Sequence, residues 1–180
     1  MALKVFGPGV DYSKPVHIGI DQSYSGFALT AIKGADFYTE VYKSPKHGVE
    51  RLRDIQSHMM DWIVKFEHIE DVAMEGYAFG SQMANMLGEL GGMVKLTLLE
   101  FNIYPLIVPP TNLKKYATGK GNIPKSQIIL YVYKNFGVEI PEDNAADSYI
   151  LAHLVSGQYT RAYEKEVYEK LQDPKFRERP

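Results

Sequence analysis

Cysteine is absent from the 180-residue chain. This absence excludes disulfide bonds, thiolate metal sites and a cysteine nucleophile, and it suits a reducing cytoplasm. The chain also lacks a long apolar run, because residues 96–108 are interrupted by Glu100, Asn102 and Pro105. The N-terminus has no apolar core of the kind that signal peptides carry. We therefore expect a cytoplasmic protein that does not enter a membrane.

Strong net charge is missing as well, since 20 Lys and Arg residues face 22 Asp and Glu residues. The formal net charge of -2 argues against indiscriminate binding to nucleic acid. Acidic residues are, however, absent from Phe101 to Val138, a stretch that carries several lysines. Such a cationic segment fits a phosphate-binding face, but charge alone favours a solvated loop.

The apolar content of 45% and the length suit one domain with one buried core. Short apolar runs rich in β-branched residues come first, and helical and strand patterns then alternate. This order predicts an α/β fold with a mixed central sheet of about five strands flanked by helices. We assign residues 1–180 to a single domain, with residues 1–15 as an N-terminal extension and residues 160–180 as a charged helical tail. The predicted strands cover residues 16–21, 26–32, 36–43, 69–77 and 103–110, and the main helices cover 47–66, 82–99, a segment from about 124, and 145–157.

Three acidic residues lie at the ends of predicted elements. Asp21 ends the first predicted strand, Glu75 ends a later one, and Asp147 lies in the first predicted turn of a late helix. Taken singly, each is adequately explained as a turn residue, a strand-end acid or a helix-dipole partner. Together they sit where an α/β sheet gathers a site from distant segments. Carboxylates gathered there need a cation to be stable, and oxygen ligands favour Mg²⁺ or Mn²⁺.

Four ordered motifs resemble the RuvC family of Holliday-junction resolvases, within the RNase H-like superfamily. The motifs are IGIDQSYSGFALT (18–30), AMEGYAF (73–79), LKKYATGKGNIPKSQI (113–128) and NAADSYILAHL (144–154). Each motif alone is a weak signal, but the ordered set is specific. Several features, including the short N-terminal extension, look more like phage-encoded relatives, for which the compartment is the host cytoplasm.

This resemblance implies an RNase H-like, Mg²⁺-dependent endonuclease that resolves four-way DNA junctions. Asp21, Glu75 and Asp147 are the implied metal ligands, holding two Mg²⁺ ions for which Mn²⁺ is expected to substitute. The last motif departs from the family pattern, because Asn144 stands where an acid or histidine is common. Its amide oxygen is a neutral hard ligand, so we include Asn144 among the metal ligands. Asp143 is an alternative that we leave outside the catalytic set.

The resemblance also implies phosphate contacts by the lysine-rich motif, with Lys120 or Lys125 stabilising the developing negative charge. The predicted DNA-binding residues are Lys114, Lys115, Lys120, Lys125, Tyr77 and Phe79. Tyr77 or Phe79 is expected to stack on a base at the opened junction, although core packing of an aromatic residue just beyond a strand is about as good an explanation.

Gly88, Gly91 and Gly92 interrupt a predicted helix, which costs about 1 kcal/mol each relative to alanine. A homodimer, implied by the two-fold symmetry of a junction, would explain them, and so would close approach to the protein's own sheet.

Two other functions stay open. One is a DNA-binding module that does not cut. The other is an actin-like ATPase fragment, because DQSYSG also resembles a phosphate-binding turn. That class needs a second domain, which 180 residues cannot hold, so we expect no nucleotide cofactor.

Overall fold

A computed structural model describes residues 2–77 and 84–179 of the protein. Its strands are β1 (Ala2–Phe6), β2 (Val16–Asp21), β3 (Phe27–Lys33), β4 (Asp36–Lys43), β5 (Ile69–Glu75) and β6 (Leu106–Val108). Its helices are α1 (Gly48–Ile63), α2 (Ala84–Glu100), α3 (Pro110–Thr118), α4 (Lys125–Phe136), α5 (Asp143–Val155) and α6 (Ala162–Leu171), followed by a 3₁₀ turn at Pro174–Phe176.

The strands form one mixed sheet in the order β1-β4-β3-β2-β5-β6. The first four are antiparallel neighbours, whereas β2, β5 and β6 run parallel to one another. This arrangement confirms the predicted α/β fold with a mixed central sheet. The sheet has a sixth strand, β1, which lies in the segment that we assigned to an N-terminal extension. A five-residue edge strand carries little pattern of its own, and its pairing with β4 is a tertiary contact.

Helices cover both faces of the sheet, as predicted. The first core includes Trp62 of α1 and Leu90 of α2, packed on the side chains of Ile18 and Ile20. The second core lies on the opposite face, where α3 to α6 pack, and it includes the fully buried Leu151 of α5. Apolar strand residues alternate between the two cores, because successive side chains of a strand point to opposite faces.

Some helix details differ from the pattern. Two apolar residues, Val49 and Met86, are 79% and 39% exposed, and each lies in the first turn of its helix. Helix α5 begins at Asp143 with Glu142 as its N-cap, so Asp147 lies in the second turn rather than the first. None of the helices within the two described ranges is long and apolar enough to cross a bilayer.

The C-terminal tail covers the β6 edge of the sheet. Helix α6 lies in the tail, and beyond it Arg177 forms a bridge with Leu106 of β6. The Arg177 guanidinium also donates to both carboxylate oxygens of Asp71, at 2.7 and 2.8 Å. This bidentate pair fixes the tail where an open sheet edge would otherwise expose unpaired backbone groups.

Helix α5 crosses the sheet unusually close to β2, at Gly19. A Cβ atom at this position would lie 2.0 Å from the carbonyl oxygen of Ser148 and 2.4 Å from the backbone nitrogen of Ala152. Only glycine permits backbone-to-backbone approach of this kind inside a strand. The contact sets the height of α5 above the sheet, and with it the position of Asp147.

We expect Gly19→Ala to reduce the free energy of unfolding by about 3 kcal/mol, because overpacking against helix backbone cannot be relieved by a rotamer change. Gly88→Ala is the matched control, since a Cβ there meets nothing within 4 Å. Chemical denaturation of both variants measures the difference. Equal stability of the two variants would contradict the close contact.

Candidate active site

Asp21 and Glu75 lie side by side where β2 and β5 end. The two strands are parallel neighbours, so their carboxyl ends meet at the same edge of the sheet. Both side chains point to the face that α5 covers, because Gly19 and Asp21 share one face of β2. The two carboxyl groups are close enough to interact through a hydrogen bond when one is protonated.

Asp147 approaches the same edge from α5, and hydroxyl groups hold that helix in place. The Ser148 hydroxyl lies 2.7 Å from the Thr30 hydroxyl, which lies 2.7 Å from that of Thr39. All three side chains are buried, so this chain of hydrogen bonds fixes the rotation of α5 relative to the sheet. Asp147, one residue before Ser148, is thereby turned toward Asp21.

Asp21 and Asp147 are buried, Glu75 is partly exposed, and the three carboxyl groups interact with one another. Burial, together with the negative charges of Glu75 and Asp147, raises the pKa of Asp21 well above its usual value. Burial and then the charge of Asp147 raise the pKa of Glu75 to about 7. Burial raises the pKa of Asp147 to about 6, although Lys125 opposes the shift. Without a cation, this arrangement is electrostatically unfavourable in its ionised form.

Lys125, the first residue of α4, brings a positive charge to the carboxylates. Its Nζ atom lies 3.4 Å from Oδ2 of Asp147 and 4.0 Å from Oδ2 of Asp143. Burial lowers the pKa of Lys125, but attraction by Asp147, Asp21 and Glu75 outweighs burial and raises it. Lys125 is therefore a charged partner of the acidic centre.

The donor set fits a hard divalent cation. Oδ2 of Asp21 and Oδ1 of Asp147 are buried and have no hydrogen-bond partner, which is costly for ionised oxygens unless a cation coordinates them. Within the described residues, no group of three or more His, Cys, Asp or Glu side chains is arranged so that it could hold a metal ion as it stands. Asp21 and Glu75 border an open cleft of about 400 Å³, and Lys125, the partner of Asp147, lines it as well. An open site of this kind leaves coordination positions for substrate and water.

The cleft is lined on one side by the turn after β2, at residues 22–25, and on the other by Pro110 and Lys114 of α3. Tyr77, two residues beyond Glu75, also lines it. Lys114 and Tyr77 thus lie beside the carboxylates, at positions where the sequence predicted DNA contacts. Phe79 lies outside the described residues.

Two of the predicted lysines lie away from this cleft. Lys115 forms an ion pair with Glu166 of α6. Lys120 is exposed, and its backbone N–H donates to the Thr118 hydroxyl within the loop. Of the two lysines that the sequence left as candidates for charge stabilisation, the structure brings Lys125 to the carboxylates and not Lys120. The difference arises because Lys125 begins a helix that packs against α5, which sequence spacing does not reveal.

Asn144 is buried but does not line the cleft. Its Nδ2 atom lies 2.9 Å from the position that a Cβ on residue 26 would occupy, so its amide packs against Gly26 at the start of β3. Asp143, the alternative, is about half exposed. The Gly26 contact is made by the amide nitrogen, and coordination of a metal by the amide oxygen of Asn144 stays a prediction.

Two further residues contact the site, and the sequence analysis did not identify them. Gln22 donates from Nε2 to the carbonyl oxygen of Glu75 at 2.7 Å. Arg51 of α1 stacks on the Tyr24 ring at 4.4 Å and donates to the Tyr24 carbonyl oxygen. Both act on the strand ends or the turn through tertiary contacts. In the sequence, only the position of Gln22 directly after Asp21 could have indicated its role. Nothing in the sequence indicated a role for Arg51.

Neither the family models nor the curated proteins contain a match to this chain. Among solved structures it is similar to RuvC from Thermus thermophilus, with a TM-score of 0.64 at 22% identity over 91% of this chain and 98% of that one. It is also similar to T. thermophilus RuvC in complex with a Holliday junction substrate, with a TM-score of 0.65 at 20% identity over 88% of this chain and 96% of that one. The protein therefore has the RuvC-type, RNase H-like fold that the motifs predicted.

The raised pKa values make the stability of the metal-free protein depend on pH. Carboxyl groups of the unfolded chain titrate near 4, whereas the folded pKa values are about 7 for Glu75 and about 6 for Asp147. The stability that these groups contribute is fully present below about pH 4 and is lost as pH rises through 6 and 7. In EDTA we expect a melting temperature lower at about pH 8 than at about pH 5.5. Asp147→Asn should reduce that difference, whereas an identical pH dependence in both proteins would contradict the shifts.

Proposed function

We propose that the protein is a metal-dependent endonuclease that cuts branched DNA, with the four-way junction as its main substrate. The observation that carries the proposal is the gathering of Asp21, Glu75 and Asp147 at one sheet edge of a RuvC-type fold, where their charges interact. A centre of this kind is costly to fold and is explained by the cation and phosphate that it would hold. The similarity to a RuvC solved with a Holliday junction substrate supports the choice of substrate.

In this proposal Asp21, Glu75 and Asp147 would hold Mg²⁺, with two ions expected and Mn²⁺ as a substitute. The bound metal supplies Lewis acidity, which favours attack of water on the phosphodiester and departure of the sugar oxygen. The unpaired carboxylate oxygens of Asp21 and Asp147 support this assignment. Asn144 is the least supported ligand, because its amide oxygen is neutral and carboxylates are the stronger ligands of Mg²⁺.

Protein cations would orient the phosphate and balance its charge. The 3.4 Å contact of Lys125 with Asp147 and the position of Lys114 in the cleft wall support this role. With the carboxylate charge offset by the cation that they would hold, the Lys125 ammonium would be available to phosphate oxygens. Lys115 and Lys120 would contact the DNA farther from the scissile bond, and Tyr77 would stack on an unpaired base.

A homodimer fits a substrate with two-fold symmetry, because two active sites related by a rotation axis can make symmetric cuts. We propose this assembly, and light scattering of the purified protein tests it.

A non-cleaving junction-binding module is the alternative, favoured by the neutral Asn144 in the last motif. Junction binding without cleavage in either Mg²⁺ or Mn²⁺ would establish that alternative.

The central test is cleavage of a synthetic four-way junction, with three-way and linear duplexes for comparison. We expect Mg²⁺-dependent cutting of the four-way junction, prevented by EDTA. Asp21→Asn, Glu75→Gln and Asp147→Asn should each lower the rate by roughly 10³-fold, equivalent to about 4 kcal/mol of transition-state stabilisation. Their binding to the junction in EDTA should persist. Normal cutting by any of the three variants would contradict the proposed metal site.

The two lysines that sequence could not separate provide a second test. We expect Lys125→Met to lower the cleavage rate by roughly 10²-fold, because it removes a cation from the immediate surroundings of the reacting phosphate. Lys120→Met is the matched control and should affect mainly DNA affinity and its salt dependence. Single-turnover rates at saturating enzyme separate the two effects. A larger rate loss in the Lys120 variant would assign the role to Lys120 instead.

A further inference from the structure

We infer that Gln22 is a positioning residue that keeps the strand ends carrying Asp21 and Glu75 at a fixed separation. The inference rests on the proposed function, because its consequence is the metal affinity of those carboxylates. Gln22 directly follows Asp21 and is only 4% exposed. Its amide packs against Gly91 of α2, and the residue lines the same cleft as Asp21 and Glu75.

Strands β2 and β5 part just before the acidic residues. Their last backbone pair joins Ile20 to Met74. Beyond it, Asp21 is in register with Ala28 of β3, and Glu75 with Val108 of β6. The separation opens the cleft, but it also removes the backbone partner that would otherwise join the two strand ends.

The Gln22 side chain restores this connection. Its Nε2 atom donates to the carbonyl oxygen of Glu75 at 2.7 Å, so an amide side chain continues the ladder where the backbones part. On the other side, the N–H of Gly76 donates to the carbonyl oxygen of Val108 at 2.8 Å. The peptide group after Glu75 is therefore held from both neighbouring strands, which limits how far its carboxylate can move relative to Asp21.

Gly91 of α2 makes room for the Gln22 amide. A Cβ at residue 91 would lie 2.6 Å from Oε1 of Gln22 and 3.4 Å from its Cδ and Nε2. Oε1 is buried and accepts no hydrogen bond. The opposite amide orientation would nevertheless be worse, because it would set two acceptor oxygens against each other at Glu75. This contact accounts for Gly91, whereas a Cβ at Gly88 or Gly92 would meet nothing within 4 Å.

The first experiment replaces Gln22 by Met, which keeps the length and the apolar packing but removes the amide. We expect the Mg²⁺ concentration for half-maximal cleavage to rise by roughly 10-fold to 100-fold, as for other residues that orient metal ligands. Junction affinity in EDTA and the melting temperature in EDTA should change little. Mn²⁺ binding, measured by titration calorimetry, should weaken by a similar factor, and this readout does not depend on cleavage.

The second experiment uses the two adjacent glycines of α2. Gly91→Ala should weaken Mn²⁺ binding in the same direction as Gln22→Met, whereas Gly92→Ala should leave it unchanged. Both substitutions alter intrinsic helix propensity equally. Gly91→Ala should destabilise the wild-type protein but stabilise the Gln22→Ala protein, where the obstructing amide is absent. That reversal tests the contact even if Gly91→Ala alone folds poorly. Light scattering checks that Gly92→Ala keeps the wild-type oligomeric state.

The outcomes separate the two proposals. Wild-type cutting together with unchanged metal dependence in Gln22→Met would overturn the role of Gln22 and leave the proposed function intact. The role of Gln22 would also be overturned if Gly91→Ala and Gly92→Ala lost stability and Mn²⁺ affinity to the same extent. If the wild-type protein neither cuts the junction nor binds Mn²⁺, the proposed function fails, and the positioning role fails with it.

Discussion

The contact between α5 and β2 at Gly19 determines the rest of the site. Because glycine lets the helix backbone touch the strand, Asp147 reaches the sheet edge where Asp21 and Glu75 already lie. The buried hydroxyls of Thr30 and Ser148 then fix the rotation of the helix. A bulkier residue at position 19 would lift α5 away and separate the third carboxylate from the other two. The acidic centre is therefore a product of backbone packing as much as of the acids themselves.

This packing brings together groups that repel one another. Burial alone raises the pKa of a carboxyl group, and the neighbouring carboxylates raise it further at Asp21 and Glu75. Lys125 offsets part of the repulsion from the side of Asp147. The remaining repulsion between the carboxylates would be offset by a divalent cation. Binding of the proposed metal would therefore stabilise the folded chain.

Prediction from sequence succeeded where local pattern and chemistry coincide. The ends of β2 and β5 are short apolar runs closed by an acid, so Asp21 and Glu75 could be placed at one sheet edge before any contact was known. Prediction was weaker where the position of a residue depends on how a loop packs against the sheet. Lys120 and Lys125 are equivalent by spacing, but only Lys125 begins a helix that packs against α5. Strand β1 was missed for a similar reason, since only its pairing with β4 makes it a strand.

The sequence by itself determined the fold class, the three acids and the chemistry that their oxygens favour, because hydrophobic periodicity and residue type are local properties. Tertiary structure alone decided that Lys125 is the lysine beside the acids and that the Asn144 amide packs against Gly26. It also decided that Gln22 joins the two strand ends, in the space that Gly91 leaves. These features depend on distances between elements far apart in the chain, which are set by packing of the two cores against the sheet. No pattern within a single segment encodes such distances.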